Sequence, residues 1–78
     1  MTNMPDRRDP RWRDAAWRRE QFHRLVAEHG LTRKVVMTHC GITPGTADQW
    51  FARAETAQAP GAANLQVLIL MSQAGLLK

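Results

Sequence analysis

The sequence predicts an all-α chain of four to five helices packed as a compact bundle, and three observations carry that expectation. Residue types that start and stop helices recur along the chain. Apolar residues between them repeat at three-and-four spacing. Two threonine helix starts, Thr32 and Thr43, lie only eleven residues apart, which leaves no room for a long loop.

Residues 1–8 are polar, contain Pro5 and lack periodicity, which predicts a flexible arm ahead of a domain over residues 9–78. A disordered tail and an arm whose Arg7 and Arg8 reach a partner both fit that composition. Asp9-Pro10 is a start signal and Gly30 a stop, framing a first helix of roughly twenty residues. Phe22, Leu25, Val26 and His29 fall on one side of it, with Ala15 above them, and that stripe is read as core. Trp12 lies at the edge of the stripe and Trp17 points nearly the opposite way. Either the helix breaks near Ala16, or Trp17 is covered by another subunit or by the arm. Arg18, Arg19 and Arg24 line the polar side, where they serve either solubility or contact with phosphates.

Thr32 caps a second helix over about residues 33–39. Gly41 can take the left-handed conformation that ends it, and Ile42 can drop into the core. Thr43 followed by Pro44 opens a third helix over about residues 44–54. Its inner face is Ala47, Trp50, Phe51 and Ala54, leaving Gly45, Thr46, Asp48, Gln49 and Arg53 outside. Residues 55–61 form a connector with the breaker pair Pro60-Gly61, and a last helix runs from residue 62 or 64 to residue 74, with Gly75 as its stop. Leu65, Leu68, Ile69 and Ser72 make one side of this helix; Val67, Leu70, Met71 and Ala74 make the other. A monomer core this small covers one side. The second, extended by Leu76 and Leu77, is therefore expected to be a dimer interface, against the alternative of an enclosed terminal helix.

The stretch from Thr32 to Phe51 resembles the helix-turn-helix of small phage and plasmid repressors, the lambda-repressor-like or Cro-like family. Gly41 stands where that family has its turn glycine, Ile42 where it has the buried residue after it, and Ala47 and Trp50 where the second helix packs on the first. The family usually has alanine four residues before the glycine, and this chain has Met37. Ala47 faces it where the family more often carries valine or isoleucine, so the exchange of large for small keeps the volume. Plasmid regulators of the Kor group and phage regulators are resembled equally.

The resemblance implies a third helix that reads bases and a second helix set against the DNA backbone. Gln49 would pair with adenine, Thr46 would bond a base edge or pack on a thymine methyl, and Gly45 would allow close approach. Asp48 has three readings: accepting from cytosine, pairing with an arginine, or excluding wrong sequences. Arg33 and Lys34 at the second helix's start, with Thr43, Arg53 and Arg24, would meet phosphates. Val67, Leu70, Met71, Ala74 and Leu77 would join two subunits.

Composition narrows the function further. Seventy-eight residues make one domain with a limited core, which favours oligomerisation. The formal charge is +4 and nine of the eleven Lys and Arg residues precede Val35, which suggests nucleic acid or an acidic surface unless the arginines form a merely solvated face. One cysteine excludes an internal disulfide framework. The start has no apolar core of signal-peptide length, and the longest apolar run, residues 67–71, is far too short to span a bilayer. A cytoplasmic bacterial protein, associated with the nucleoid through its operator, is the expectation. His23, His29, His39 and Cys40 fit no zinc-finger spacing, and no nucleophile stands beside an evident base. No metal, cofactor, small-molecule ligand or enzymatic activity is expected.

The expected function is a sequence-specific transcriptional repressor acting as a homodimer on an inverted-repeat operator in double-stranded DNA. The rival is a protein-binding module, an antitoxin or phage inhibitor, that uses the helix pair only as scaffold. A non-specific or RNA-binding protein ranks third, because a basic groove lined with exposed aromatics is lacking.

Overall fold

The computed structural model describes residues 5–6, 8–54 and 56–76; Arg7 and Leu77, named above for the arm and the dimer interface, lie outside them. The chain is all-helical. A short 3-10 turn, Pro10–Arg13, leads into α1 (Ala15–His29), α2 (Arg33–Cys40), α3 (Pro44–Phe51) and α4 (Ala62–Gln73), with no strand among the described residues. The Cα radius of gyration is 11.5 Å. A globular chain of this length should have about 11.5 Å, so the helices are fully collapsed on one another.

The single long first helix predicted from Asp9-Pro10 is divided at Asp14. Its backbone is extended (φ −87°, ψ 110°), and its carboxylate accepts from the amides of Ala16 and Trp17, so the side chain competes with helix continuation and caps a fresh start. The break settles the position of Trp17. Trp12 is buried in the core, Trp17 meets it edge-on at 5.0 Å, and the Arg11 guanidinium covers Trp17 at 5.5 Å. Trp12 also donates its indole N–H to the Asp6 carbonyl at 2.8 Å, tying the described end of the arm to the domain.

Two residues assigned to the core stripe of α1, Ala15 and His29, are exposed. At Gly30 the chain reverses in the left-handed conformation, and the amides of Gly30 and Leu31 both return to the Val26 carbonyl. Leu31, 6% exposed, thereby takes the core place that periodicity gave to His29.

The core joins Phe22 and Leu25 of α1, Val36 of α2, Trp50 of α3, and Leu65, Leu68 and Ile69 of α4. Phe22 lies at its centre, edge-on to Trp50 at 5.8 Å and to Phe51 at 5.2 Å. α1 packs chiefly against α4 and α2 chiefly against α3. The connector, described over residues 52–54 and 56–61, is held down by α1. The Arg18 Nε donates to the Pro60 carbonyl at 2.8 Å and the Arg19 Nη2 to the Ala57 carbonyl at 3.0 Å, while Ala57 and Pro60 are themselves buried. Neither arginine is therefore simply part of the polar face expected from the sequence.

No helix among the described residues is long and apolar enough to cross a membrane.

Candidate functional site

α2 and α3 form a pair whose ends are determined by local chemistry. The Thr32 hydroxyl accepts from the Val35 amide at 3.3 Å, which satisfies one free donor at the start of α2. Gly41 closes the helix at φ 65°, its amide returning to the Met37 carbonyl at 2.9 Å. Two residues later the Thr43 hydroxyl accepts from the Thr46 amide at 3.3 Å and donates to the Thr46 hydroxyl at 3.1 Å, with Pro44 at the first helical position. Thr43 is thus committed to capping, and Thr46, half-buried, keeps its own hydroxyl hydrogen to donate.

α3 ends earlier than its apolar spacing suggests. Ala52 is extended (ψ 144°), so Arg53 and Ala54 follow the helix instead of belonging to it, and both are exposed. Ala54 is therefore not on an inner face, and Arg53 is not on the last turn. At this end of α3, His23 Nε2 of α1 sits 3.3 Å from the Ala52 carbonyl, and because a carbonyl only accepts, that nitrogen carries the proton. Burial holds the His23 pKa below its ordinary value, against the raising effect of the Ala52 hydrogen bond, and nearby Arg53 and Arg19 lower it further.

Ala47 and Trp50 are buried under α3, while Gly45, Asp48 and Gln49 are exposed on its other side. The two long polar side chains of that exposed side are both engaged. Asp48 Oδ1 lies 2.6 Å from Arg33 Nε, so the first residue of α2 reaches the middle of α3. The same guanidinium lies over the Phe51 ring at 5.7 Å. Gln49 Oε1 accepts from the Gln58 amide at 3.3 Å, which brings the connector to the same surface. Gln58 was not singled out by sequence reasoning, and no local signal marks it; only folding of the connector places it beside Gln49.

These contacts put Arg33, Asp48, Gln49 and Gln58 on one surface, with Lys34 exposed next to Arg33. Arg24 is on α1 and spans 3.8 Å to Glu20, one turn back on the same helix. Among the described residues no ion pair or hydrogen bond brings it to this group. The basic first half is also more engaged than its composition suggests: Arg11 binds Asp9 at 2.8 Å, Arg24 and Arg33 have carboxylate partners, and Arg18 and Arg19 bind connector carbonyls.

On α4, Leu65, Leu68 and Ile69 are fully buried, whereas Val67 and Leu70 are 41% and 50% exposed; Leu76, beyond the end of the helix, is 62% exposed. Met71 is half-buried and Ala74 exposed. Cys40 is half-buried, and burial pushes its thiol pKa up, away from a reactive thiolate. Among the described residues no group of three or more His, Cys, Asp or Glu side chains could hold a metal ion.

Compared with known proteins, the chain matches no family model, no curated protein and no solved structure.

Proposed function

We propose that this chain is a sequence-specific repressor that binds double-stranded DNA as a homodimer, with α2 and α3 acting as a helix-turn-helix and α3 entering the major groove. The observation that carries the reading is the contact of Arg33 with Asp48. It sets the N-terminus of α2 beside the exposed side of α3, so the free amides and dipole of one helix adjoin the polar side chains of the next. A duplex laid on that surface would meet Arg33 and Lys34 at its phosphates and Thr46 and Gln49 at base edges. The exposed apolar side of α4 supplies a surface for the second subunit, and two-fold symmetry would then set half-sites roughly 10 bp apart. Occupying a promoter would repress it.

A protein-binding module is the second reading, and what favours it over the first is how the arginines are used. The same apolar side of α4 would suit a foreign partner, and much of the arginine complement is occupied within the monomer. Sedimentation analysis and titration of duplex DNA at several salt concentrations separate the two. A dimer whose affinity falls steeply with salt supports the repressor; a monomer with no salt-sensitive DNA affinity supports the module.

A further inference from the structure

Asp48 stands on the exposed side of α3, where a carboxylate is at odds with a surface meant for phosphates. Its charge is nevertheless used. Arg33 Nε lies 2.6 Å from it, both side chains are 62% exposed, and the Phe51 ring holds the guanidinium from another side at 5.7 Å. An ion pair this exposed opens at little cost, so it can exchange partners.

Building on the reading of α3 as the duplex-facing helix, we propose that Asp48 is a specificity-determining residue that keeps Arg33 from phosphates until a cytosine amino group takes the place of Arg33 as the carboxylate's partner. A carboxylate can only accept hydrogen bonds. In the major groove guanine offers O6 and N7 and thymine offers O4, all acceptors that repel it. Adenine offers an amino group flanked by the N7 acceptor. Cytosine offers its N4 amino donor with an acceptor, the paired guanine O6, on one side only, whereas the adenine amino group lies between N7 and the paired thymine O4. Over cytosine, Asp48 gains a donor and releases Arg33 to a phosphate. Over other bases, releasing Arg33 would leave Asp48 unpartnered in a groove of negative potential, so the pair stays closed and one cation is withheld from the backbone. The ion pair thus suppresses binding to random DNA and rewards one base.

The test uses the full chain as wild type, Asp48→Asn, Arg33→Gln and the double variant, with circular dichroism to confirm that each keeps its helices. Selection from a random-sequence duplex library should give a wild-type motif with a cytosine position whose preference is lost in Asp48→Asn. Titration of a random duplex should show Asp48→Asn binding on the order of fivefold tighter at about 0.1 M salt, with a salt slope steeper by about 0.9, the equivalent of one more phosphate contact. That steepening should be absent when Arg33 is also replaced. Retention of the motif by Asp48→Asn, loss of a guanine or thymine preference instead, or an equal gain with and without Arg33 overturns the proposal while leaving the repressor reading intact. A wild type that enriches no sequence and binds DNA without salt dependence overturns both.

Discussion

Arg18 joins the beginning and the end of the core, its Nε donating to the Pro60 carbonyl at 2.8 Å across 42 residues of sequence while its Nη1 donates to the Trp12 carbonyl at 2.7 Å. The planar fork of a guanidinium can serve two carbonyls at once, which the single ammonium of lysine cannot do from the same position. Hydrogen bonds from a charged donor to part-buried acceptors contribute about 1.5–3 kcal/mol each at most, and the two share one side chain. Arg18→Met is therefore expected to cost about 2 kcal/mol, a fall of about 10 °C in the thermal midpoint, with Arg18→Lys recovering less than half of it. Thermal denaturation followed at 222 nm measures both. A Met variant melting with the wild type would show that the connector is held by packing alone.

Phe22 is fully buried and meets Trp50, Phe51 and His23 edge-on, so it carries the α1–α3 contact. Phe22→Leu keeps most of the apolar volume but removes the ring-edge contacts, each worth about 0.5–1.5 kcal/mol. A loss of about 2 kcal/mol is expected in urea unfolding, with a weaker near-ultraviolet tryptophan signal as Trp50 loses its oriented neighbour. An unchanged urea midpoint would remove Phe22 from the centre of the fold.

Gly41 and Gly45 stand four residues apart, and alanine should act on them with opposite signs. Gly41 has φ 65°, where a Cβ costs about 1–2 kcal/mol even though, among the described residues, none beyond its chain neighbours would come within 4 Å of it. Gly45 is in the first turn of α3 with no left-handed backbone and open space around it, so Gly45→Ala should stabilise by about 0.5–1 kcal/mol. Equilibrium unfolding of the two variants reads the signs directly. If Gly45→Ala stabilises the fold and weakens DNA binding, the absence of a side chain there serves the duplex.

His23 should make stability depend on pH. Burial and the neighbouring arginines keep its folded pKa below the ordinary 6.5, so between the folded and unfolded values the unfolded chain binds more protons. Stability is therefore complete above about 6.5 and falls as the pH drops through that value toward the folded pKa. A protonated ring can still donate to the Ala52 carbonyl, so the loss comes from placing a third cation near Arg19 and Arg53 in a half-buried site. His23→Gln, which can still donate but cannot charge, should show a flatter urea midpoint between about pH 7.5 and 5.5 than the wild type. Parallel profiles would place the pH dependence elsewhere.

Where structure is decided by neighbours in sequence, it was readable in advance. The caps at Thr32 and Thr43, the stops at Gly30 and Gly41, and the buried side of α4 all stand where spacing put them. What depends on distant partners was not readable. α3 stops before Arg53, and the Ala52 carbonyl at that end is met by a histidine 29 residues earlier. Arg18 and Arg19 resemble surface charges until the connector closes over them. The break at Asp14 was signalled only by the misfit of Trp17, since an aspartate cap and a mid-helix aspartate look alike in sequence. At the candidate site, spacing sorted Gly45, Asp48 and Gln49 to the outer side of α3. It left three readings open for Asp48, and the fold puts that residue against Arg33.

Leu70 decides whether α4 holds a second copy of the chain. It is 50% exposed between Val67 and the half-buried Met71, and no charged residue occurs from Ala62 to Leu76 to keep two such surfaces apart. A glutamate there would be solvated in the monomer but buried and facing its own symmetry mate in a dimer. Leu70→Glu is therefore expected to keep the helical signal and the thermal midpoint of the isolated subunit while shifting sedimentation mass from dimer to monomer. If α3 works in pairs, affinity for an inverted repeat should fall to that for a single half-site. The measurement is analytical ultracentrifugation at about 10–100 μM, a range in which a small homodimer of micromolar affinity is populated. A wild type that is already monomeric there, with Leu70→Glu no different, would assign the exposed side of α4 to something other than self-association.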